Sequence, residues 1–477
     1  MRSVLSLVLH SFHRDFQDEP RMTSATPTRL TRPSRLGFAM ILGACLGLLF
    51  FFASGMAALG VERFPPPEFD PGYTMPATPA PAARAQGWIY LDGVVLLGAL
   101  SLAAYFVHVK RSRKWLFWMT VFSVLYFGFY RKGCVCSVGS VQDVSLALFN
   151  SGYTVPVGVL LFFLLPIVFS MFVGRVFCSS VCPLGAIQDL VVVKPIKVPD
   201  WLESGLSVIP FVWLGTGVLL AATGSLFLFC SYDPFVSFFR MGGSVLMLSL
   251  GVVFLGVGMF IGRPYCRFLC PYGALLSLFS RFAKYNVHLM PDECVQCQIC
   301  DVTCPYGAIL DPTGTPPVGH ETRQNRKLWI WLALLPALVW FGAWLGHQAG
   351  GPLSKLHGTV QLAEQIAAED SGQLKDDTNA SRAFRQRARS AEELFATARQ
   401  IRAQFGFGGW ILGGFVGLVV AAKLVGLAAV VRRCAFEPDR ASCVACGRCY
   451  TYCPTEIVRL KRELRLKSIP LQAAPKP

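Results

Sequence analysis

Cys294, Cys297, Cys300 and Cys304, followed by Pro305, share one spacing with Cys443, Cys446, Cys449 and Cys453, followed by Pro454: both read C-x2-C-x2-C-x3-C-P. At this spacing three thiolates close around one [4Fe-4S] cube and the fourth reaches across to a second. The expected ligation is therefore crossed. Cys294, Cys297, Cys300 and Cys453 take one cluster, and Cys443, Cys446, Cys449 and Cys304 the other. Any fold must bring these two distant runs together. A zinc site of similar cysteine density is the rival reading, but zinc ligands usually arrive as separated C-x2-C pairs.

The rest of the chain is too apolar for a soluble globule. Its 477 residues are 53% hydrophobic and only 15% charged, with a mean hydropathy of +0.48, which predicts an integral membrane protein. The net charge of +16 could suggest nucleic acid, but the basic residues cluster beside apolar spans, as the positive-inside rule requires. No nucleic-acid partner is expected; the partner is the lipid bilayer. Thiolate ligands need a reducing compartment during assembly, so both cysteine runs should face the cytoplasm.

Taken in order, residues 1–36 are a disordered basic lead-in in which Met22 is an alternative start. Residues 37–114 hold two spans, 36–61 as an uncleaved anchor and 93–109, joined by a Pro-rich external linker at 65–83. Residues 115–275 form a four-helix unit with spans at 115–130, 157–173, 206–229 and 241–261. The first ferredoxin half follows at 276–326. Residues 327–431 make a transmembrane hairpin, spans 328–346 and 407–431, around a polar external insert at 347–405. Within that insert, 380–405 reads as an amphipathic helix. The second ferredoxin half and a basic tail occupy 432–477.

The expected fold class is thus an all-α integral membrane protein of about eight transmembrane helices. A small α+β module of the bacterial 2[4Fe-4S] ferredoxin type is attached to it, split by the hairpin. Eight spans place both termini and both cysteine runs on the cytoplasmic side of a bacterial inner membrane.

The four-helix unit carries its own repeat. Gly174-Arg175-Val176-Phe177-Cys178 through Cys182-Pro183-Leu184-Gly185-Ala186 matches Gly262-Arg263-Pro264-Tyr265-Cys266 through Cys270-Pro271-Tyr272-Gly273-Ala274, 88 residues apart. The shared pattern is G-R-x2-C-x3-C-P-x-G-A. Two-fold related copies would bring Cys178, Cys182, Cys266 and Cys270 together as a third metal or redox centre. Iron-sulfur, copper and dithiol chemistry all remain open, against the plainer reading of packed thiols. Cys134, Cys136 and Cys230 fall on the outer side, where a disulfide or soft-metal site is the functional reading. Cys45 and Cys434 read as structural. No C-x2-C-H and no mid-span histidine pair occurs, so no haem is expected. No Walker loop or G-x-G-x-x-G opens a helix.

Paired C-x3-C-P motifs at the ends of spans, followed by C-x2-C-x2-C-x3-C-P runs, resemble the membrane polyferredoxins of the NosR/NirI, NapH and CcoG (FixG) kind. The resemblance covers about 115–459, and the outer Arg131-Lys132-Gly133-Cys134 stretch looks most like the NosR-like branch. It implies electron supply to, or maturation of, respiratory metalloenzymes such as nitrous-oxide reductase, periplasmic nitrate reductase and cytochrome oxidase. NosR itself carries an external flavin domain with an S-G-A-T attachment motif. None occurs here, so no covalent flavin is expected and a flavoprotein would be a separate partner.

The expected function is electron relay from a cytoplasmic or quinol donor to a periplasmic or membrane metalloenzyme. The alternatives are a copper-handling assembly factor and a membrane redox sensor. Arg267, Arg448 and Arg459 are expected to raise the cluster potentials.

Overall fold

A computed structural model of the chain describes residues 86–468, apart from 134–136, 151, 290–293, 314–319, 374–377, 387–389 and 430–432. The lead-in, the first expected span, the Pro-rich linker, Cys45, Cys134 and Cys136 lie outside the described residues. The order begins with α1 (Gln86–His108), α2 (Arg113–Ser123) running into a π-helical turn (Val124–Tyr130), α3 (Ser137–Phe149) and α4 (Val157–Val173). A second π turn (Phe177–Val181) leads to α5 (Pro183–Leu190), α6 (Asp200–Leu206), α7 (Ile209–Ala222), α8 (Leu228–Ser231), α9 (Pro234–Arg240) and α10 (Val245–Gly258). Next come α11 (Pro264–Phe268), α12 (Pro271–Ser280), α13 (Ile299–Thr303), β1 (Ile309–Leu310) and α14 (His320–Ser354). The chain ends with α15 (Gly358–Asp370), α16 (Asn379–Gln386), α17 (Ala391–Ala428), β2 (Glu437–Pro438), α18 (Arg448–Tyr452) and α19 (Pro454–Ser468).

Four helices among the described residues are long and apolar enough to cross a membrane: Gly87–His108, Trp201–Ala222, Arg326–Ser354 and Ala391–Ala428. A fifth span arises if α9 and α10, bent by 105° to one another, count as one. By length and composition the chain is a multi-pass membrane protein. The other expected spans among the described residues are shorter or differently wound for local reasons. The stretch 115–130 changes from α to π winding at Val124. The helix at 157–173 has 17 residues with Pro166 inside. Gly224, at φ +66°, stops the fifth expected span at Ala222 instead of 229. Met241, at φ +51°, ends α9, and Ser244 caps α10 by accepting from Met247 N at 3.3 Å.

The repeat folds as two interlocked copies. α5 of the first copy packs on α10 of the second, and α12 of the second packs on α4 of the first. The exchange is repeated in the backbone. Lys194 N donates to Met259 O at the end of α10, and Tyr285 N donates to Phe172 O at the end of α4.

Two observations correct the reading of 327–431. α14 continues to Ser354, eight residues past the expected end, and among the described residues the stretch 380–405 is divided between α16 and the start of α17. Ala391 to Phe405 is instead the first part of one 38-residue helix that continues as the eighth expected span. The glycines that suggested a boundary there serve close packing. A Cβ on Gly346 would run into the carbonyl oxygen of Gly409, and one on Gly413 into that of Gly342. Such small-residue contacts let membrane helices approach at backbone distance.

Contact density divides the chain into two units. The smaller unit's described residues fall within Glu364–Ala391, where Arg385 pairs with Glu369 at 3.1 Å and Asp370 at 3.0 Å. The larger unit contains everything else described below.

The hairpin of α14 and α17 returns the chain to its starting point. β1 and β2 pair antiparallel, Ile309 opposite Pro438 and Leu310 opposite Glu437. Asp439 N donates to Ala308 O at 2.7 Å, and α13 packs on α18. Two strands of two residues cannot hold such a junction alone. Tyr306, Ala308 and Val444 form a small buried core behind them.

Candidate iron-sulfur centres

The proline after the last cysteine of every motif sets that cysteine's backbone. Cys182, Cys270, Cys304 and Cys453 all sit at φ between −64° and −77° with ψ between 108° and 119°. Proline excludes the helical region for the residue before it and is favoured as the first residue of a helix. Three of these prolines open α5, α12 and α19, so Cys182, Cys270 and Cys453 stand at helix N-termini, where the free amides favour negative charge. In the two longer runs Gln296 and Gln298 occupy positive φ, as do the matching Ala445 and Gly447. This alternation curls the backbone around the central Cys297 and Cys446 and turns N–H groups inward, a geometry that accepts anions.

The described cysteines of the motifs gather in three pockets. One is lined by Cys294, Cys297, Cys300 and Cys453, with Leu289 and Phe436. Another is lined by Cys304, Cys443, Cys446 and Cys449, with Tyr306 and Ala308. The third is lined by Cys178, Cys182, Cys266 and Cys270, with Phe177 and Tyr272. Cys178 packs on the same Tyr306, Ala308 and Val444 core as Cys304, Cys443 and Cys446. The second and third pockets are therefore one residue layer apart. Cys449 also lies within electrostatic reach of Cys300 in the first pocket.

The chemistry of these pockets fits clusters. Burial pushes the Cys266, Cys300 and Cys443 thiols up to about 12, and burial raises Cys304 and Cys449 as well. Thiols held there stay protonated and unreactive unless a metal replaces the proton. Donors already point at the sulfurs: Gln188 Nε2 at Cys266 Sγ and Gly273 N at Cys270 Sγ, both over 3.3 Å. Among the described residues no three His, Cys, Asp or Glu side chains converge as closely as a single ion demands. Zinc would draw its sulfurs to about 2.3 Å from one point, whereas in a cube each thiolate holds a different iron.

The repeat's invariant arginine and glycine interlock. Arg263 donates to Cys178 O and to Ser179 O, and its guanidinium lies against the face of Gly185. Arg175 lies likewise against Gly273, and donates to Ala441 O at 2.9 Å. A Cβ at either glycine would press on an arginine of the other copy and on the carbonyl of Cys178 or Cys266, at 3.0 to 3.3 Å. Each glycine thus lets the opposite arginine cross the pseudo-two-fold axis.

One residue of the site is not evident from the motifs. Asp189, fully enclosed, meets Arg113 at 2.6 Å and Arg263 and Arg448 at 3.5 Å, and accepts from Tyr306 Oη at 2.7 Å. Burial disfavours its charge, but Arg113, Arg263 and Arg448 outweigh that and hold the carboxyl well below the usual carboxylate range. The available signal was asymmetry: Gln188 and Asp189 stand where the second copy has Leu276 and Ser277.

The expected potential-raising arginines are each ion-paired. Arg448 faces Asp189, Arg267 binds Glu203, and Arg459 binds Glu456 at 2.7 Å. Arg267 nevertheless still favours the anionic form of Cys304. Cys230 lies apart from the three pockets. It lines a cavity of about 290 Å³ with Asp92, Arg131, Asp143, Asp233 and Arg240. Cys434 is exposed and lines none of these pockets.

A family model described as a 4Fe-4S binding domain matches residues 154–197 and 244–288. These segments contain the two repeat motifs with Cys178, Cys182, Cys266 and Cys270. Among known proteins the chain is 29% identical to the uncharacterized protein MJ0750 of Methanocaldococcus jannaschii, over 38% of this chain and 77% of that protein. It is 26% identical to the putative electron transport protein YccM of Escherichia coli, over 30% of this chain and 45% of YccM. It is 32% identical to NirI of Paracoccus denitrificans, over 30% of this chain and 23% of NirI. The chain thus spans less than half the length of YccM and of NirI. No solved structure matches it. The matched domain lies in both repeat copies and NirI and NosR are among the relatives, so the chain is similar to the NosR/NirI-like ferredoxin-type membrane proteins.

Proposed function

We propose that the chain is a membrane electron carrier that holds two [4Fe-4S] clusters by crossed ligation and a third centre in the membrane repeat. The carrying observation is the arrangement of twelve cysteines as three adjacent four-cysteine pockets. Cys294, Cys297, Cys300 and Cys453 would hold one cluster and Cys443, Cys446, Cys449 and Cys304 the other. Cys178, Cys182, Cys266 and Cys270 would hold the third, which the match of a 4Fe-4S domain to those two segments supports. A [4Fe-4S] cluster in such a pocket supplies one-electron redox chemistry.

The chain's own residues do the rest. Tyr306, Ala308 and Val444 keep water from the gap between the second and third pockets, and Gln188 and Gly273 donate hydrogen bonds to sulfur. On this reading both ferredoxin runs and both termini are cytoplasmic and the membrane is the bacterial inner membrane. The relay connects a cytoplasmic or quinol donor to a periplasmic respiratory metalloenzyme or its maturation, with a nitrous-oxide-reductase-type system favoured by the NosR and NirI relatives.

The test is iron and acid-labile sulfide per chain in anaerobically purified protein, with EPR of the reduced form. About twelve irons support three cubes, at four irons each. About eight would remove the third cube, and fewer would overturn the reading.

A further inference from the structure

A cavity of about 110 Å³ opens on the side of Cys178 and Cys266 that faces away from Cys182 and Cys270, and its wall is strongly cationic. Arg175, Arg263, Arg267, Arg281 and Lys423 line it, with Glu203 the one carboxylate in the lining; Glu203 is taken by Arg267, Arg263 meets Asp189 behind the wall at 3.5 Å, and Lys423 also feels Asp439, which leaves the cations in excess. Arg175 and Arg263 are 8% and 1% exposed, and the Nε–H of each has no acceptor among the described residues. Neither Arg281 nor Lys423 makes an ion pair among the described residues, yet the two lie close enough to repel one another. Cations at this density, with buried donors left over, favour an anion, which would take up those donors.

Size and position narrow that anion. Drug-sized ligands and cofactors need about 300 Å³ or more, so this cavity takes a small group. It lies at the start of the Trp201–Ala222 span and near the end of the Ala391–Ala428 span, against Ala441, Ser442 and Val444 of the ferredoxin module. That is the level at which an apolar span gives way to water, and basic pockets between spans at this depth bind phospholipid head groups.

We propose that this cavity binds one phosphate-class oxyanion, held by Arg281 and Lys423 at its mouth and by the Nε–H groups of Arg175 and Arg263 within. The phosphate belongs either to a lipid head group or to free phosphate, and the test separates the two sources. Full-length protein with its clusters, in neutral detergent, is titrated with phosphatidylglycerol, phosphatidylcholine or inorganic phosphate, and complexes are counted by native mass spectrometry. Wild type should retain phosphatidylglycerol if the source is a lipid, or phosphate if it is free. Arg281→Gln and Lys423→Gln should each bind at least about tenfold more weakly, because a charge-assisted hydrogen bond is worth about 1.5–3 kcal/mol. Iron content should be unchanged, since neither side chain touches a cysteine pocket's sulfur. Binding of none of the three, or equal binding by wild type and variants, overturns the proposal. So does an altered cluster spectrum in the variants without weaker binding, which would assign the cations to the cysteines instead.

Discussion

Tyr306 of the first ferredoxin run donates its hydroxyl hydrogen to Asp189 of the first membrane repeat over 2.7 Å. Arg448 of the second run and Arg263 of the second repeat meet the same carboxylate at 3.5 Å. One side chain therefore ties together both halves of the module and both copies of the repeat, at the layer between two cysteine pockets. Its role is to keep the spacing of those pockets fixed.

Asp189→Asn should destabilise the chain strongly. It leaves Arg263, 1% exposed, without its buried counter-charge, and breaking one partner of a buried pair costs about 3–5 kcal/mol. The native carboxyl lies below the unfolded value of about 3.9. Its stabilisation is therefore complete above that value and is lost as pH falls through the still lower native one. Thermal melts at pH 7 and pH 4 check this. Wild type should hold most of its stability at pH 4, and equal melts for wild type and variant at pH 7 would refute the role.

Crossed ligation separates Cys304 from its own run. Cys453→Ser should perturb the EPR signal of the cluster on Cys294, Cys297 and Cys300, whereas Cys304→Ser should perturb that on Cys443, Cys446 and Cys449. The assignment uses Cys297→Ser and Cys446→Ser as references for each signal. If Cys453→Ser instead reproduces the spectrum of Cys446→Ser, ligation is local and the pairing seen in the pockets is not used.

The two cysteine runs and the repeat were legible because ligand spacing is a covalent constraint, readable without any fold. Which four sulfurs share a pocket follows from it once β1 and β2 close. Span boundaries were less legible, because hydropathy does not register backbone turns such as Gly224 at φ +66° or the change to π winding at Val124. The helix at 391–428 was divided at glycines that prove to be its contact with α14. Asp189 was hidden for a different reason. Its four partners come from four separate segments, and no spacing rule links them.

Gly346→Leu and Gly413→Leu should separate α14 from α17. A side chain at either position meets the facing backbone, and no rotamer relieves a clash at Cβ. Overpacking of this kind costs about 1–3 kcal/mol or more. Because the hairpin returns β2 to β1, the variants should also lose iron from the ferredoxin module, measured as iron per chain. Retention of full iron with a lowered melting temperature would show that the module closes without the hairpin's help.

Asp233 should give the opposite pH dependence to Asp189. Its carboxyl caps α9 by accepting from Phe235 N at 2.9 Å and Val236 N at 3.4 Å, while Oδ2 has no partner among the described residues. Burial raises it to about 6, against the lowering effect of those two amides. Since the native state binds the proton more tightly than the unfolded chain, stability falls as pH rises from about 4 to 6 and stays lower beyond. The cost above that window is about 3 kcal/mol at most, from a shift of roughly two units at 1.36 kcal/mol each. Asp233→Asn keeps the cap, because asparagine accepts from the same amides, and removes the charge. Its melting temperature should match wild type near pH 4 and exceed it at pH 8, whereas a variant less stable than wild type at pH 8 would mean that the charged form is held by the Arg240 guanidinium across the cavity.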